Sequence, residues 1–72
     1  MIDRETLRAM TAFARSNPTG APDATRSGPV GIGDMRYIVL RDTAGAVLAI
    51  YRVRRFDGHL KRLRRPPVEL LG

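Results

Sequence analysis

The first part of the chain carries apolar side chains at helical spacing. They recur at i, i+3 and i+7 with one aromatic neighbour, and they are Leu7, Met10, Ala14 and Phe13. Asp3 suits the N-cap position, and Glu5 suits the positive end of the helix dipole. Asn17–Pro18 interrupts the pattern, because a residue before proline is driven out of the α region. Residues 1–16 are therefore predicted to form an N-terminal unit with a helix from 3 to 16.

The next segment, residues 17–33, is predicted to be a flexible loop. Seven of its seventeen positions are glycine or proline, and it has few large apolar side chains. Gly28, Gly31 and Gly33 match neither the dinucleotide-binding nor the Walker spacing, and no predicted strand precedes them. The pattern therefore favours a connector over a phosphate-binding loop.

Alternating and β-branched residues predict strands over 35–41, 46–55 and 59–65. Asp42–Gly45 fits a type I turn between the first two strands, and Asp57–Gly58 is a strong two-residue hairpin signal before the third. Pro66–Pro67 ends the last strand. The predicted fold class is α+β, a single domain in which the N-terminal helix packs on a three-stranded antiparallel β-meander. Residues 34–72 supply the basic meander and a short apolar tail.

The predicted turns also define a register and two faces for this sheet. A turn that pairs Asp42 with Ala46 places Tyr37 opposite Tyr51. The face expected to receive the helix, and hence the predicted core, carries Ile38, Leu40, Leu48, Ile50 and Leu63. The other face carries Tyr37 and Tyr51, with Arg41, Arg55, Arg62 and Arg64 around them. This other face also carries apolar side chains, namely Met35, Val39, Val47, Ala49 and Val53. It therefore equally suits a buried protein interface, including that of a homodimer.

Charge is concentrated in the C-terminal half of the chain. The 72 residues carry thirteen basic and seven acidic groups, a net charge of +6. Seven of the basic groups lie between positions 52 and 65: Arg52, Arg54, Arg55, Lys61, Arg62, Arg64 and Arg65. Twelve of the thirteen cations are arginine, which a GC-rich genome would also produce. Codon bias accounts for the ratio of arginine to lysine but does not account for the clustering.

The residues needed for catalysis or for metal binding are sparse. The chain has no cysteine and a single histidine, His59, which has no serine or cysteine near it in the sequence. Its carboxylates are scattered singly. We therefore expect no enzymatic activity, no cofactor and no metal. The absence of cysteine, of a signal-peptide core and of a long apolar run predicts a soluble cytoplasmic protein with no membrane partner.

A basic surface with aromatic side chains is typical of nucleic-acid binding. Arginine neutralises phosphates and releases counterions, while aromatic rings stack on unpaired bases. The sequence therefore predicts a binding protein for DNA, RNA or a nucleoprotein complex. The predicted contact residues are Arg41, Arg52, Arg54, Arg55, Lys61, Arg62, Arg64 and Arg65, with Tyr37 and Tyr51 as stacking or interface groups.

Two other interpretations remain open for the basic segment. Charged side chains on the outer strand protect a sheet edge from unwanted pairing, which explains part of the arginine density. A different function is that of a small inhibitor, of the phage-encoded anti-CRISPR kind, or of an adaptor. Such a protein would dock on an acidic surface of a nucleic-acid-handling complex, and only its size and charge suggest the analogy.

Overall fold

The fold consists of one helix and a four-stranded antiparallel sheet in a computed structural model that describes residues 3–16 and 21–64. The elements are α1 (Arg4–Ser16), β1 (Gly28–Ile32), β2 (Met35–Arg41), β3 (Val47–Val53) and β4 (Leu60–Arg62). The strands lie side by side in chain order. The predicted α+β class and antiparallel meander are confirmed, and β1 adds a fourth strand. Within the described residues, no helix is long and apolar enough to cross a membrane.

Asp3 caps the N-terminus of α1, as predicted. Its carboxylate accepts hydrogen bonds from the backbone N–H of Thr6, at 3.2 Å, and from the Thr6 hydroxyl. The first helical hydrogen bond runs from the N–H of Leu7 to the Asp3 carbonyl at 3.0 Å. The hydrogen bond from the Thr6 hydroxyl is the main cause that lowers the pKa of Asp3 below its usual range, while desolvation opposes it.

The buried face of α1 is Thr6, Ala9 and Phe13, with Met10 half-buried at its edge. Of the predicted apolar positions, Phe13 is buried and Met10 half-buried, whereas Leu7 and Ala14 are exposed. The buried face is therefore centred one residue, about 100° around the helix, from the predicted stripe. Leu7 is 52% exposed. The prediction failed because Thr6 is polar, yet its hydroxyl is bonded to Asp3 and its burial leaves no polar group unpaired.

The strand β1 lies inside the segment that the sequence predicts to be a flexible loop, so the prediction for 17–33 is wrong at 28–32. Gly33 and Asp34 form the two-residue connection to β2, since Ile32 pairs with Met35. Gly33 has φ 59° and no described residue other than glycine has a positive φ, which fits a type II′ turn. Pro29 is tolerated because β1 is an edge strand.

The turn between β2 and β3 forms where the sequence predicts it. The N–H of Gly45 donates to the Asp42 carbonyl, and the N–H of Asp42 donates to the Ala46 carbonyl, both at 3.0 Å. Arg41 then pairs with Val47, but Leu40 pairs with Ala49, so Leu48 is an extra residue on β3. This β-bulge shifts the rest of the pairing by one position.

The bulge exchanges the faces of the side chains that follow it on β3, because side chains alternate with a period of two. Ile38 pairs with Tyr51 instead of Ile50. The face under α1, called here the helix face, buries Ile38, Leu40, Ala49, Tyr51 and Val53 with Ala9 and Phe13. The opposite face, called here the second face, buries Tyr37, Val39 and Ile50 beside Ile32, Met35, Val47 and Leu63. Ile38, Leu40 and the half-buried Leu48 therefore pack where they were predicted. Ile50 is buried and Leu63 half-buried, but on the second face, so for these two only the predicted face is wrong.

The connection between β3 and β4 is longer than the predicted two-residue Asp57–Gly58 turn. The N–H of Arg54 donates to the His59 carbonyl at 2.9 Å, and residues 55–58 form the loop. The observed pairing is Arg52 with Lys61, a shift of two residues from the predicted partner Arg54. A shift of two leaves each side chain of β4 on the same face relative to β3.

The N-cap generates a stability prediction. Asp3→Ala should lower the free energy of unfolding by about 1 kcal/mol at neutral pH. Because the folded-state pKa of Asp3 is lowered, its contribution is present above the unfolded value of about 4 and is lost as the pH falls through the folded value. Urea unfolding at neutral and acidic pH measures both effects.

Asp3→Asn is the matched control, since asparagine caps helices nearly as well but carries no charge. It should stay close to the wild-type protein at neutral pH and lose the part of the pH dependence that comes from Asp3. Equal stabilities of Asp3→Ala and the wild-type protein at neutral pH would contradict the assigned cap.

Candidate nucleic-acid interface

One end of the sheet gathers six of the twelve described cations, and we call it the basic end. It contains the β1–β2 turn and the β3–β4 loop, which meet because neighbouring strands are antiparallel. The cations at this end are Arg8, Arg36, Arg52, Arg54, Arg55 and Lys61. Arg8 joins them from α1, where its guanidinium donates to the Gly58 carbonyl at 3.4 Å. Neither Arg8 nor Arg36 was among the predicted contact residues, because their approach depends on tertiary packing.

Arg52 and Lys61 form a pair of like charges directly opposite each other on β3 and β4. Both lie on the second face, where Arg52 is also the cross-strand partner of Tyr37. Like charges at directly opposed positions destabilise a sheet. By this rule we expect the pair to lower the stability of the isolated protein, and a bound anion would offset that effect.

Arg54 and Arg55 extend the positive surface around the loop. Both are exposed. Together with Arg52 they line a groove of about 250 Å³, whose other lining residues are Met35, Val53 and Phe56. The groove thus combines three cations with apolar side chains. Such a combination suits a ligand that is both anionic and partly apolar.

Few of these cations are neutralised inside the protein. In the parts of the chain that the structure describes, two ion pairs lie within 4.0 Å: Arg26 with Asp23 at 3.8 Å and Arg36 with Glu5 at 2.8 Å. Neither includes Arg52, Arg54, Arg55 or Lys61. The Arg36–Glu5 pair joins α1 to β2 and, because both side chains are in contact with solvent, contributes at most about 1 kcal/mol.

Phe56 lies at the tip of the β3–β4 loop and was missed by the sequence analysis. Its side chain is 100% exposed, whereas the other phenylalanine, Phe13, is buried. The sequence feature that indicates an exposed Phe56 is its position between Arg55 and the Asp57–Gly58 turn residues. A two-residue turn would have placed Phe56 opposite His59 at the end of a strand, which hid this signal.

The loop that carries Phe56 is held by its own hydrogen bonds. The N–H of Gly58 donates to the Arg54 carbonyl, and the N–H of His59 donates to an Asp57 carboxylate oxygen, both at 3.0 Å. Gly58 has φ 70°, a backbone conformation that residues other than glycine rarely adopt. The hydrogen bond from His59 lowers the pKa of Asp57, so this carboxylate accepts it at neutral pH.

The prediction that Tyr37 and Tyr51 share one face of the sheet is wrong. The bulge at Leu48 puts Tyr51 on the helix face and leaves Tyr37 on the second face, where they are 5% and 8% exposed respectively. Both rings are packed among core side chains. Neither ring presents a face on which a base could stack.

The structure separates the remaining predicted contact residues from the basic end. Arg62 points to the helix face, where its guanidinium carbon lies 5.3 Å from the centre of the Phe13 ring in a cation–π contact. Arg64 is exposed beyond β4 and lines a groove of about 590 Å³ beside Val47–Ile50. Arg65 lies outside the described residues.

Arg41 lies at the opposite end of the sheet and braces the β2–β3 turn. Its guanidinium donates to the Gly45 carbonyl at 2.9 Å. Its backbone N–H donates to the Ser27 hydroxyl at 2.9 Å, and its carbonyl accepts from the N–H of Asp23 at 2.7 Å. These contacts give Arg41 a structural role in joining the segment before β1 to the end of β2.

Comparison of the chain with protein-family models, with curated proteins and with solved structures finds no match. No relative therefore assigns a function to the basic end. Among residues 3–16 and 21–64, no three His, Asp or Glu side chains are grouped so that they could hold a metal ion.

The contacts of Tyr51 generate a prediction on its ionisation. Burial raises the pKa of Tyr51 above its usual value of 10.0, and the nearby Arg62 guanidinium partly offsets this. In a Tyr37→Phe background, where Tyr51 is the remaining tyrosine, Arg62→Gln should raise the pKa of Tyr51 further. An ultraviolet absorbance titration of phenolate formation measures the midpoint.

The sign of the linked stability effect follows from the same shift. Because the folded protein favours the neutral phenol, the contribution of Tyr51 is present below the unfolded pKa of about 10 and is lost as the pH rises through the folded value. Lys61→Gln, which removes a cation on the other face, is the control and should move the Tyr51 midpoint less. An unchanged or lower midpoint in Arg62→Gln would contradict the described contact.

Proposed function

We propose that this protein is a small, non-enzymatic binding protein whose basic end contacts nucleic acid, either free or within a nucleoprotein complex. The observation that carries the proposal is the directly opposed pair of Arg52 and Lys61, with Arg54 and Arg55 beside it; within residues 3–16 and 21–64, none of the four has a carboxylate within ion-pair distance. A polyanion that places phosphates between these cations converts a repulsive arrangement into an attractive one.

Phosphate chemistry matches the composition of this end. Arginine presents a planar fork of donors that binds phosphate oxygens in pairs, and neutralised phosphates release their condensed counterions. Three of the four central cations are arginines. The proposal therefore covers DNA and RNA.

The second candidate function is docking on an acidic protein surface, as an inhibitor or adaptor. The observation that favours it is the exposed Phe56 beside Arg54 and Arg55, since aromatic and arginine side chains are enriched among the residues that dominate protein interfaces. Arginine binds carboxylates with the same fork geometry as phosphates. The two functions differ in salt dependence and in the need for one defined protein partner.

The opposed pair generates a two-part prediction. Arg52→Gln/Lys61→Gln should weaken binding to a DNA or RNA oligonucleotide by about tenfold and reduce the dependence of log affinity on log salt by roughly two. The same substitutions should leave stability unchanged or raise it at low salt, because they remove the like-charge repulsion. Fluorescence anisotropy from about 50 to about 200 mM salt measures the first effect, and thermal unfolding measures the second.

Arg15→Gln/Arg26→Gln is the matched control. It removes the same formal charge from exposed positions outside the basic end, so it should weaken binding much less. Equal losses in the two variants would indicate non-localised attraction to net charge. If the wild-type protein binds no nucleic acid at low salt, the proposal fails and an acidic protein partner becomes the function to test.

A further inference from the structure

We propose that Phe56 stacks on an unpaired base, so that the basic end prefers single-stranded nucleic acid to duplex. This inference rests on the proposed function and specifies its ligand. It begins from the position of Phe56: the side chain is fully exposed, and it lines the same groove as Arg52, Arg54 and Arg55. An aromatic ring with cations around it presents to one nucleotide a stacking surface for the base and positive charge for the phosphate.

The loop is suited to this role because the backbone that presents Phe56 is held by hydrogen bonds. The N–H of Gly58 donates to the Arg54 carbonyl across the residues that flank Phe56, and the N–H of His59 donates to the Asp57 carboxylate after it. The Arg8 guanidinium adds a hydrogen bond from α1 to the Gly58 carbonyl. A backbone held in this way loses less conformational freedom on binding than an unstructured segment would.

Charge complementarity selects the occupant of the groove. Arg52, Arg54 and Arg55 contribute three cations, and Met35, Val53 and Phe56 contribute apolar surface, while none of the carboxylates that the structure describes lines this groove. The nearest acidic residue in sequence, Asp57, accepts the N–H of His59 and also interacts electrostatically with Arg54. An anionic phosphate joined to an apolar, planar base fulfils both requirements.

Access to the base distinguishes the two forms of nucleic acid. In a duplex each base is already stacked and paired, so an aromatic ring reaches a base face only by unstacking it. In a single strand the base faces are available, and stacking on an aromatic side chain tolerates any sequence. The cations bind the phosphates of both single strands and duplexes, whereas Phe56 adds affinity only for single strands.

The test compares Phe56→Ala with the wild-type protein on single-stranded oligothymidylate, single-stranded oligouridylate and a DNA duplex of equal length. Single-strand affinity should fall by roughly tenfold and duplex affinity by much less. Oligothymidylate and oligouridylate together report whether DNA and RNA are bound alike. Leu7→Ala, which shortens another exposed apolar side chain, is the control and should not change either affinity.

Phe56→Trp supplies an independent readout. The chain contains no tryptophan, so the emission of this variant reports on position 56 alone. Stacking predicts that single strands quench this emission at the concentrations where they bind and that duplex does not. Thermal unfolding of the Phe56 variants should match that of the wild-type protein, because the side chain is fully exposed.

The outcomes separate this inference from the proposed function. Single-strand binding that is equal in Phe56→Ala and the wild-type protein, without quenching in Phe56→Trp, overturns the stacking role and leaves phosphate binding intact. Equal losses on single strand and duplex overturn the preference. If the wild-type protein binds neither form, the proposed function itself fails, and Phe56 becomes a candidate contact for a protein surface.

Discussion

The β-bulge at Leu48 decides which face of the sheet each later side chain of β3 occupies. The Asp42–Gly45 turn fixes one register at the start of the hairpin, and the pairing beyond Leu48, which places Tyr51 in the same buried cluster as Phe13, follows another. One extra residue on β3 reconciles the two. Because side chains alternate with a period of two, this insertion moves Tyr51 into the core under α1 and moves Ile50 to the second face.

The packing under α1 tolerates a polar residue and places a cation at its edge. Thr6 is fully buried, but its hydroxyl and N–H are both bonded to Asp3, so the N-cap also makes the buried face of the helix possible. At the other end of this face, Arg62 lies over Phe13 instead of joining the basic end. Part of the arginine cluster therefore stabilises the fold, and its density alone does not define a binding surface.

Antiparallel topology assembles the candidate site. It brings the start of β2 beside the end of β3 and thereby places Arg36 next to the hairpin that carries Arg52 and Lys61. The opposed Arg52–Lys61 pair is unfavourable for the isolated sheet by the rule for directly opposed like charges, although Lys61 also lies on the edge strand β4, where a charge protects the edge. Stability and the proposed binding therefore place opposite demands on the same two residues.

The sequence by itself determined the helix with its Asp3 cap, the strands β2 and β3 with the turn between them, and the basic character of the third predicted strand, because these depend on neighbours within a few positions. It did not predict β1, whose glycines and proline form a strand only when β2 offers a partner. Tertiary structure alone decided the faces of Tyr37, Tyr51 and Ile50 and the exposure of Phe56. Each of these features depends on the register of strand pairing or on the length of a loop. A shift of the register by one or two residues changes the local free energy little, but it changes which side chains are in contact.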